Sequence, residues 1–508
     1  MDKSTKIIIF IFCLFKLTLH IIADIHSGFQ GDELLHIATG NHLAFGYMEF
    51  PPVIAVLAFF QNLFHVQSIF VHHIFSHLAM LLIVIYLGKI VFELGGGSVA
   101  TAITLSCLLI SPGLGGSQQS FQPVVFSQFF WLISFYQLVR FVKYKDRRYL
   151  WYLTVFISVA FLTKYDALFF LVGSLGLLLF RNIRKALIAA KYWQFIVVSL
   201  LILLPNMVWQ YVHDFPALHM FDRLYLTQLD DLTFTEVVSG LFLDINPITS
   251  IMLLPTFIFI LGGQKMKHHY RPLATSILFS VLFLAYSKGK AYYFFPIVLT
   301  LLPFVGVFFE RIIMPQRRWL LYPLGFILLL GTMLIPFGLP IYSYAHYIDT
   351  IHKYLPKNVK NGKEVLPMQE YITKQKWEST MQELRSVYDS LPANEQSNCL
   401  IWGKHYSQAG AIELMKSTYR LPNAFCYHGS FYSWAPFGQM PKTVIAICYN
   451  DTSEDFFYPF FEEIIPVKKL YSPYASNEGW VLQTIYICKK PKQNFDKLKD
   501  LFATRIFE

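Results

Sequence analysis

Two adjacent carboxylates, Asp32 and Glu33, follow the first apolar stretch of the chain; His36 comes just behind, and Glu49 precedes a Phe50-Pro51-Pro52 turn. A carboxylate within reach of a hydroxyl can take its proton, so Asp32 is the candidate general base. Glu33 then orients a neighbour or the loop itself. The plain alternative is a solvated acid pair, or a pair drawn to a helix N-terminus by the dipole. Charge beside lipid is costly, which favours a use for it. Of opposite sign, Lys288 and Lys290 straddle Gly289 and precede Tyr292 and Tyr293. Such groups suit a phosphate; the other reading is snorkelling lysines beside an interfacial aromatic belt. Lys164, next to Tyr165 and Asp166, is a further phosphate contact or half of a surface ion pair. Arg223 either meets an anion or pairs with Asp222 or Asp230. The segment from His213 to His219 is rich in groups able to hold a polar substrate, or is a turn set by Pro216.

The elements that must carry these groups are membrane helices. Of 508 residues, 55% are hydrophobic and 15% charged, against about a quarter charged in soluble domains. The net charge of +10 lies in short runs between apolar segments, which is topological bias and excludes a nucleic-acid stripe. Apolar spans are expected near 7–22, 72–92, 98–111, 122–142, 149–163, 167–180, 192–209, 247–263, 272–286, 291–309 and 319–341. The first resembles a signal peptide in length, but Lys16 interrupts it and no cleavage site follows, so it is read as a retained helix. Basic runs at 140–148, 181–191, 265–271 and 311–318 fall on alternate loops. With all four in the cytoplasm there are about eleven spans, the N-terminus inside and the C-terminus outside. Several spans are shorter than the roughly 20 residues of an upright crossing.

From about 345 the composition turns polar. Helices are expected over 377–391 and 406–415, and strands over 399–402, 443–449 and 481–489, which makes a small α/β domain. The division is therefore 1–344 for the membrane domain and 345–508 for an extracytoplasmic domain. Cys399, Cys426, Cys448 and Cys488 all fall in the second part, as bridges or as free thiols, with no zinc spacing among them.

The order of motifs resembles the polyprenyl-phosphate-sugar glycosyltransferases of the GT-C membrane fold, the group of the protein O-mannosyltransferases and the lipid A aminoarabinose transferase. The resemblance rests on Gly31-Asp32-Glu33 with Gly46-Tyr47-x-Glu49-x-Pro51-Pro52, Leu162-Thr163-Lys164-Tyr165, Pro205-Asn206 with Trp209-Gln210, and His213-Asp214-Phe215-Pro216-x-Leu218-His219. It continues through Lys288-Gly289-Lys290-Ala291-Tyr292-Tyr293, Tyr406-Ser407-Gln408-Ala409-Gly410-Ala411, and Trp434 with Pro436. It implies a mainly α polytopic protein, a GT-C bundle with a C-terminal α/β domain, in a bacterial inner membrane. It implies sugar transfer, with inversion, from a polyprenyl phosphate to a lipid, glycan or protein acceptor outside the cytoplasm. Asp32 would be the base, with Glu33 beside it. Lys288, Lys290, Lys164 and Arg223 would meet the donor phosphate, and His36, Glu49, His213, His219, Tyr292 and Tyr293 would line the substrate.

Three positions depart from the pattern. His36 stands where relatives commonly place Tyr, and Phe50 follows Glu49 where lipid A-type relatives carry a Lys near the turn. The 111–122 loop offers Gln118, Gln119 and Gln122, with Ser127 beyond, and lacks the further acid of many relatives. No obligatory metal or other cofactor is therefore expected, although a divalent metal is compatible with the fold. The competing readings are a transporter or flippase, against which the absence of repeated halves speaks, and a non-catalytic subunit of an envelope assembly.

Overall fold

The computed structural model describes residues 1–262, 270–450 and 454–507. Most of the basic run at 265–271 lies outside these residues. By contacts the chain forms two compact units. The first takes Met1–Ala23, Phe50–Val53 and His73–Ile341; the second takes Asp24–Glu49, Ile54–His72 and Tyr342–Glu508. The acidic stretch thus belongs by its contacts to the same unit as the C-terminal residues.

The first unit is helical. Lys3–His26, Ile74–Glu93, Pro123–Tyr144, Trp193–Val212 and the run Ala291–Phe337 are long and apolar enough to cross a bilayer. Two bent pairs, Ala167–Leu179 with Arg181–Ala189 and Phe234–Asp244 with Pro247–Gly262, raise that number from five to as many as seven among the described residues, if each pair is one span. Shorter apolar helices, among them Ser98–Leu109, Arg148–Thr163 and Tyr270–Tyr286, fill the interior. Large apolar side chains such as Phe10, Leu14, Leu201 and Leu254 point outward, as a surface solvated by lipid requires. Lys16, the charge that interrupts the first helix, is turned into the unit and buried. Where helices touch, small residues let backbones approach: a Cβ on Gly306 would lie 2.9 Å from the Ala100 carbonyl carbon. The turn before Ser98 is tied by Glu310, whose carboxylate accepts from the Gly97 and Ala100 N–H groups at 2.8 and 2.7 Å. That is an anion on a helix N-terminus.

The second unit is built on a sheet. A hairpin of β1 (Val359–Lys360) and β2 (Lys363–Glu364) precedes β3 (Leu400–Gly403), β4 (Ala424–Phe425), β5 (Thr443–Tyr449), β6 (Phe461–Tyr471) and β7 (Leu482–Pro491). The five-stranded sheet has the order β4-β3-β5-β7-β6, parallel among β4, β3 and β5 and antiparallel from β5 through β7 to β6. Parallel neighbours need a crossover, and the helix Tyr406–Tyr419 supplies it between β3 and β4. One core gathers Trp402, Phe425, Tyr427, Val444, Phe457, Phe461, Tyr486 and Phe502. Helix Glu370–Asp389 buries Trp377, Met381 and Leu384. No disulfide joins the six cysteines, and the four in this unit are buried, so the bridge alternative does not hold.

Two elements go beyond the sequence reading. Of the two alternatives for Asp32 and Glu33, the helix N-terminus holds: they lie in the first turn of the helix Gly31–Thr39, whose residues from Glu33 onward are all buried. Because Glu33, His36 and Thr39 are buried along with the apolar residues, the helix shows no clean polar face that would announce it. The 11-residue strand β6, which carries Glu462, Glu463, Pro466, Lys468 and Lys469, did not read as a strand. It forms the edge of the sheet, with a bulge between Pro466 and Lys468, where charge and proline are tolerated.

Candidate functional site

The parallel strands set the site in the second unit. Side chains just past the carboxyl ends of such strands face a common crevice. Past β3 stand His405 and Tyr406, past β4 stands His428, and Tyr449 ends β5. Their rings meet: His405 and Tyr406 at 4.1 Å between centroids, His405 and His428 at 4.5 Å, and Tyr406 and His428 at 4.7 Å.

Asp32 joins this cluster on the helix Gly31–Thr39, which packs against Tyr406–Tyr419. Gly410 makes the approach possible, since a Cβ there would sit 2.8 Å from the carbonyl of Leu34. Asp32 remains exposed, and Tyr406 donates its phenol proton to Asp32 Oδ1 at 2.7 Å. Burial, and then the charge of Asp32, hold the Tyr406 phenol well above its ordinary range, so it stays a donor. Burial lowers His405 well below the usual histidine range and His428 to about 4, so both rings are neutral near pH 7.

Glu33 takes a different position. Its carboxylate is buried and turns back to accept from the Gln30 N–H at 2.8 Å, capping the helix that carries Asp32. His36 is buried on the same helix. Glu49 accepts from the Ser430 N–H at 2.8 Å and from the Ser430 hydroxyl, and burial raises it above the ordinary carboxylate range. Trp434 stacks on His42 at 4.2 Å. Entry into the Asp32 helix is tied by Trp377, whose indole N–H donates to the Phe29 carbonyl at 3.0 Å.

The first unit gathers the cations in two groups. Lys164 pairs with Asp166 at 3.0 Å and lies 4.3 Å over Tyr293 and 5.6 Å over Tyr292. Ser127 donates to the other Asp166 oxygen at 2.8 Å. Asp166 stands just before the helix Ala167–Ser174, so this carboxylate reaches Ser127 from a separate part of the chain and not from 111–122. Lys288 pairs with Asp230 at 2.8 Å, and Lys290 bonds to Gln228. Arg223 is exposed, and among the described residues it makes no ion pair. His213 stacks on Trp209 at 4.1 Å, and His219 stands 3.6 Å from Asp214, all on the surface. Gln118 bonds to Gln128, and Gln119 to the His20 carbonyl.

Tyr406, His405, His428 and Asp166 were not singled out for a role in the chemistry by the sequence. Tyr406 stands in a quoted motif, but its partner lies 374 positions earlier.

Residues 49–209 match the family model described as dolichyl-phosphate-mannose-protein mannosyltransferase. No curated protein matches the chain. Among solved structures, ArnT from Cupriavidus metallidurans bound to undecaprenyl phosphate is similar with a TM-score of 0.57 and 13% identity, over 94% of this chain and 97% of that one. The Archaeoglobus fulgidus oligosaccharyltransferase, in complex with Zn and sulfate, is similar with a TM-score of 0.52 and 13% identity, over 86% of this chain and 67% of that one. Both are GT-C fold proteins.

Proposed function

From the GT-C fold of this integral membrane chain, we propose that it is a glycosyltransferase using a polyprenyl-phosphate-linked sugar. The acceptor is a hydroxyl, or a similar nucleophile, of a lipid, glycan or protein on the outer side of the membrane. Asp32 takes the acceptor proton as the acceptor oxygen attacks the anomeric carbon. The bond from that carbon to the phosphate oxygen breaks on the opposite face, so configuration inverts and the polyprenyl phosphate leaves with the electron pair. Lys164, Lys288, Lys290 and Arg223 are the cations assigned to its charge. Tyr292, Tyr293, His213 and His219 line the substrate in this reading, and Glu33, His36 and Glu49 hold the segment that carries Asp32. The reading includes no obligatory metal, because the 111–122 loop brings amides and hydroxyls and no acid. It has the N-terminus in the cytoplasm of a bacterial inner membrane and the second unit outside.

The observation that carries this reading is the Tyr406–Asp32 hydrogen bond of 2.7 Å, an exposed carboxylate aimed by a neighbouring phenol. The undecaprenyl phosphate in the ArnT structure supports a lipid-phosphate donor. The test is mass spectrometry of envelope lipids and surface glycans in cells lacking the chain, cells with it, and cells with a stably inserted Asp32→Asn form. The same sugar should be missing from the null and from Asp32→Asn. A full pattern restored by Asp32→Asn would remove Asp32 as the base and turn attention to a transporter or a subunit.

A further inference from the structure

A cavity of about 190 Å³ opens in the second unit beside the end of β5, lined in part by Lys376, Ser379, Tyr449, Tyr471, Tyr474 and Trp480. Tyr449 and Trp480 stack with centroids 4.0 Å apart and planes 8° apart, forming a rigid aromatic wall. Lys376, on the helix Glu370–Asp389, lies 4.8 Å over the Tyr449 ring and donates to its hydroxyl at 3.3 Å. Among the described residues this half-buried cation has no carboxylate partner. Gln375 and Ser379 add an amide and a hydroxyl to the rim. Rings, neutral hydrogen-bonding groups and one uncompensated cation make a small concave site suited to a polyol that bears an anion.

This cavity is wired to Asp32. Ser407 shares a hydrogen bond of 2.9 Å with the Tyr449 hydroxyl, and its neighbour Tyr406 holds Asp32. The ring of His405 lies between them, 5.6 Å from Tyr449 and 5.0 Å from Trp480. Three consecutive residues therefore serve both the cavity wall and the carboxylate.

We propose that this cavity is the acceptor subsite and that it takes a saccharide carrying a phosphate or carboxylate, the anion resting on Lys376. The assignment rests on the transferase reading, because it names where that reaction's acceptor is held. Binding is measured on the full chain in nanodiscs by ligand-observed NMR with glucose 1-phosphate, glucuronate, glucose and inorganic phosphate. Glucose 1-phosphate or glucuronate should bind at least tenfold more tightly than glucose or free phosphate, and whichever binds better identifies the anion. Lys376→Met should remove the preference, and Trp480→Ala should weaken both sugars, with the thermal transition of each variant recorded to show that it folds. Equal binding of glucose, equal binding of inorganic phosphate, no binding, or a preference untouched in folded Lys376→Met would each overturn the proposal. If binding persists while cells lacking the chain lose no sugar, the transferase reading fails and the saccharide site stands.

Discussion

Tyr406 and Asp32, 374 positions apart, are joined by a hydrogen bond of 2.7 Å near the carboxyl ends of the parallel strands of a mixed sheet. The phenol steadies the carboxylate and fixes the direction of its second oxygen. A hydrogen bond to a charged group is worth about 1.5–3 kcal/mol. Tyr406→Phe should therefore slow transfer on the order of tenfold or more while the protein folds normally. A rate unchanged in Tyr406→Phe would separate the phenol from the chemistry.

The neutral histidines make the second unit sensitive to acid. His428 has a folded value of about 4 against 6.5 for the free side chain, and His405 is lowered too. Between these values the unfolded chain binds more protons, so stability falls as pH drops below about 6.5. For His428 alone the loss at pH 5 is on the order of 1–2 kcal/mol. Glu49 acts in the opposite sense. Burial raises it above 4.5, so its contribution is present at low pH and is lost as pH rises through its folded value. Thermal unfolding between pH 7 and 5 should show a falling midpoint in wild type. His428→Gln should fall less, and Glu49→Gln should fall more than wild type.

Much of the fold is legible because the residues repeat with the right period. The strand expected over 443–449 coincides with β5, and the helices expected from 377 and 406 appear, longer by several residues. What escapes is decided by tertiary surroundings. β6 is an edge strand, and its five charged or proline positions carry no strand signal. The helix under Asp32 is short and buried, so its nature depends on the surface it meets. In the site, Asp32 stands out by residue type and by the company of Glu33. Tyr406 cannot, because no local pattern records a partner on another element. Glu33 shows the converse: alone it reads as an acid beside an acid, whereas its geometry is that of a cap.

Gly410 tests the contact between the two helices. A side chain there would press on the Leu34 backbone, with a Cβ 2.8 Å from its carbonyl carbon and oxygen. Backbone cannot rotate away as the end of a side chain can, so Gly410→Ala must move one helix. The cost should be about 1–3 kcal/mol, the range for inserting a methyl into a packed core. Transfer should fall with stability, since the displaced helix carries Asp32. A control, Gly362→Ala, sits on a hairpin where nothing lies within 4 Å of the added methyl, but its φ of +76° strains any side chain. It should lower the unfolding midpoint slightly and leave transfer intact. If Gly410→Ala instead behaves as this control does, the helix contact does not position the base.

The two cation groups of the first unit differ in what holds them, and so should their variants. Lys164 neutralises the buried carboxylate of Asp166 and packs on Tyr293. Removing it leaves Asp166 with the Ser127 hydroxyl as its side-chain donor among the described residues, and an uncompensated buried charge costs several kcal/mol. Lys288 pairs with the exposed Asp230, an interaction of the kind worth about 0–1 kcal/mol. Lys164→Ala should therefore lower both the unfolding midpoint and the use of the donor, and Lys164→Ala with Asp166→Asn should recover the midpoint. Donor use in that double variant decides the role of the ammonium. If it stays low while folding is restored, Lys164 acts on the donor phosphate. If it returns with the fold, Lys164 is a structural counter-ion, and the phosphate contact falls to Lys288 and Lys290, whose alanine variants should then raise the donor KM without moving the midpoint.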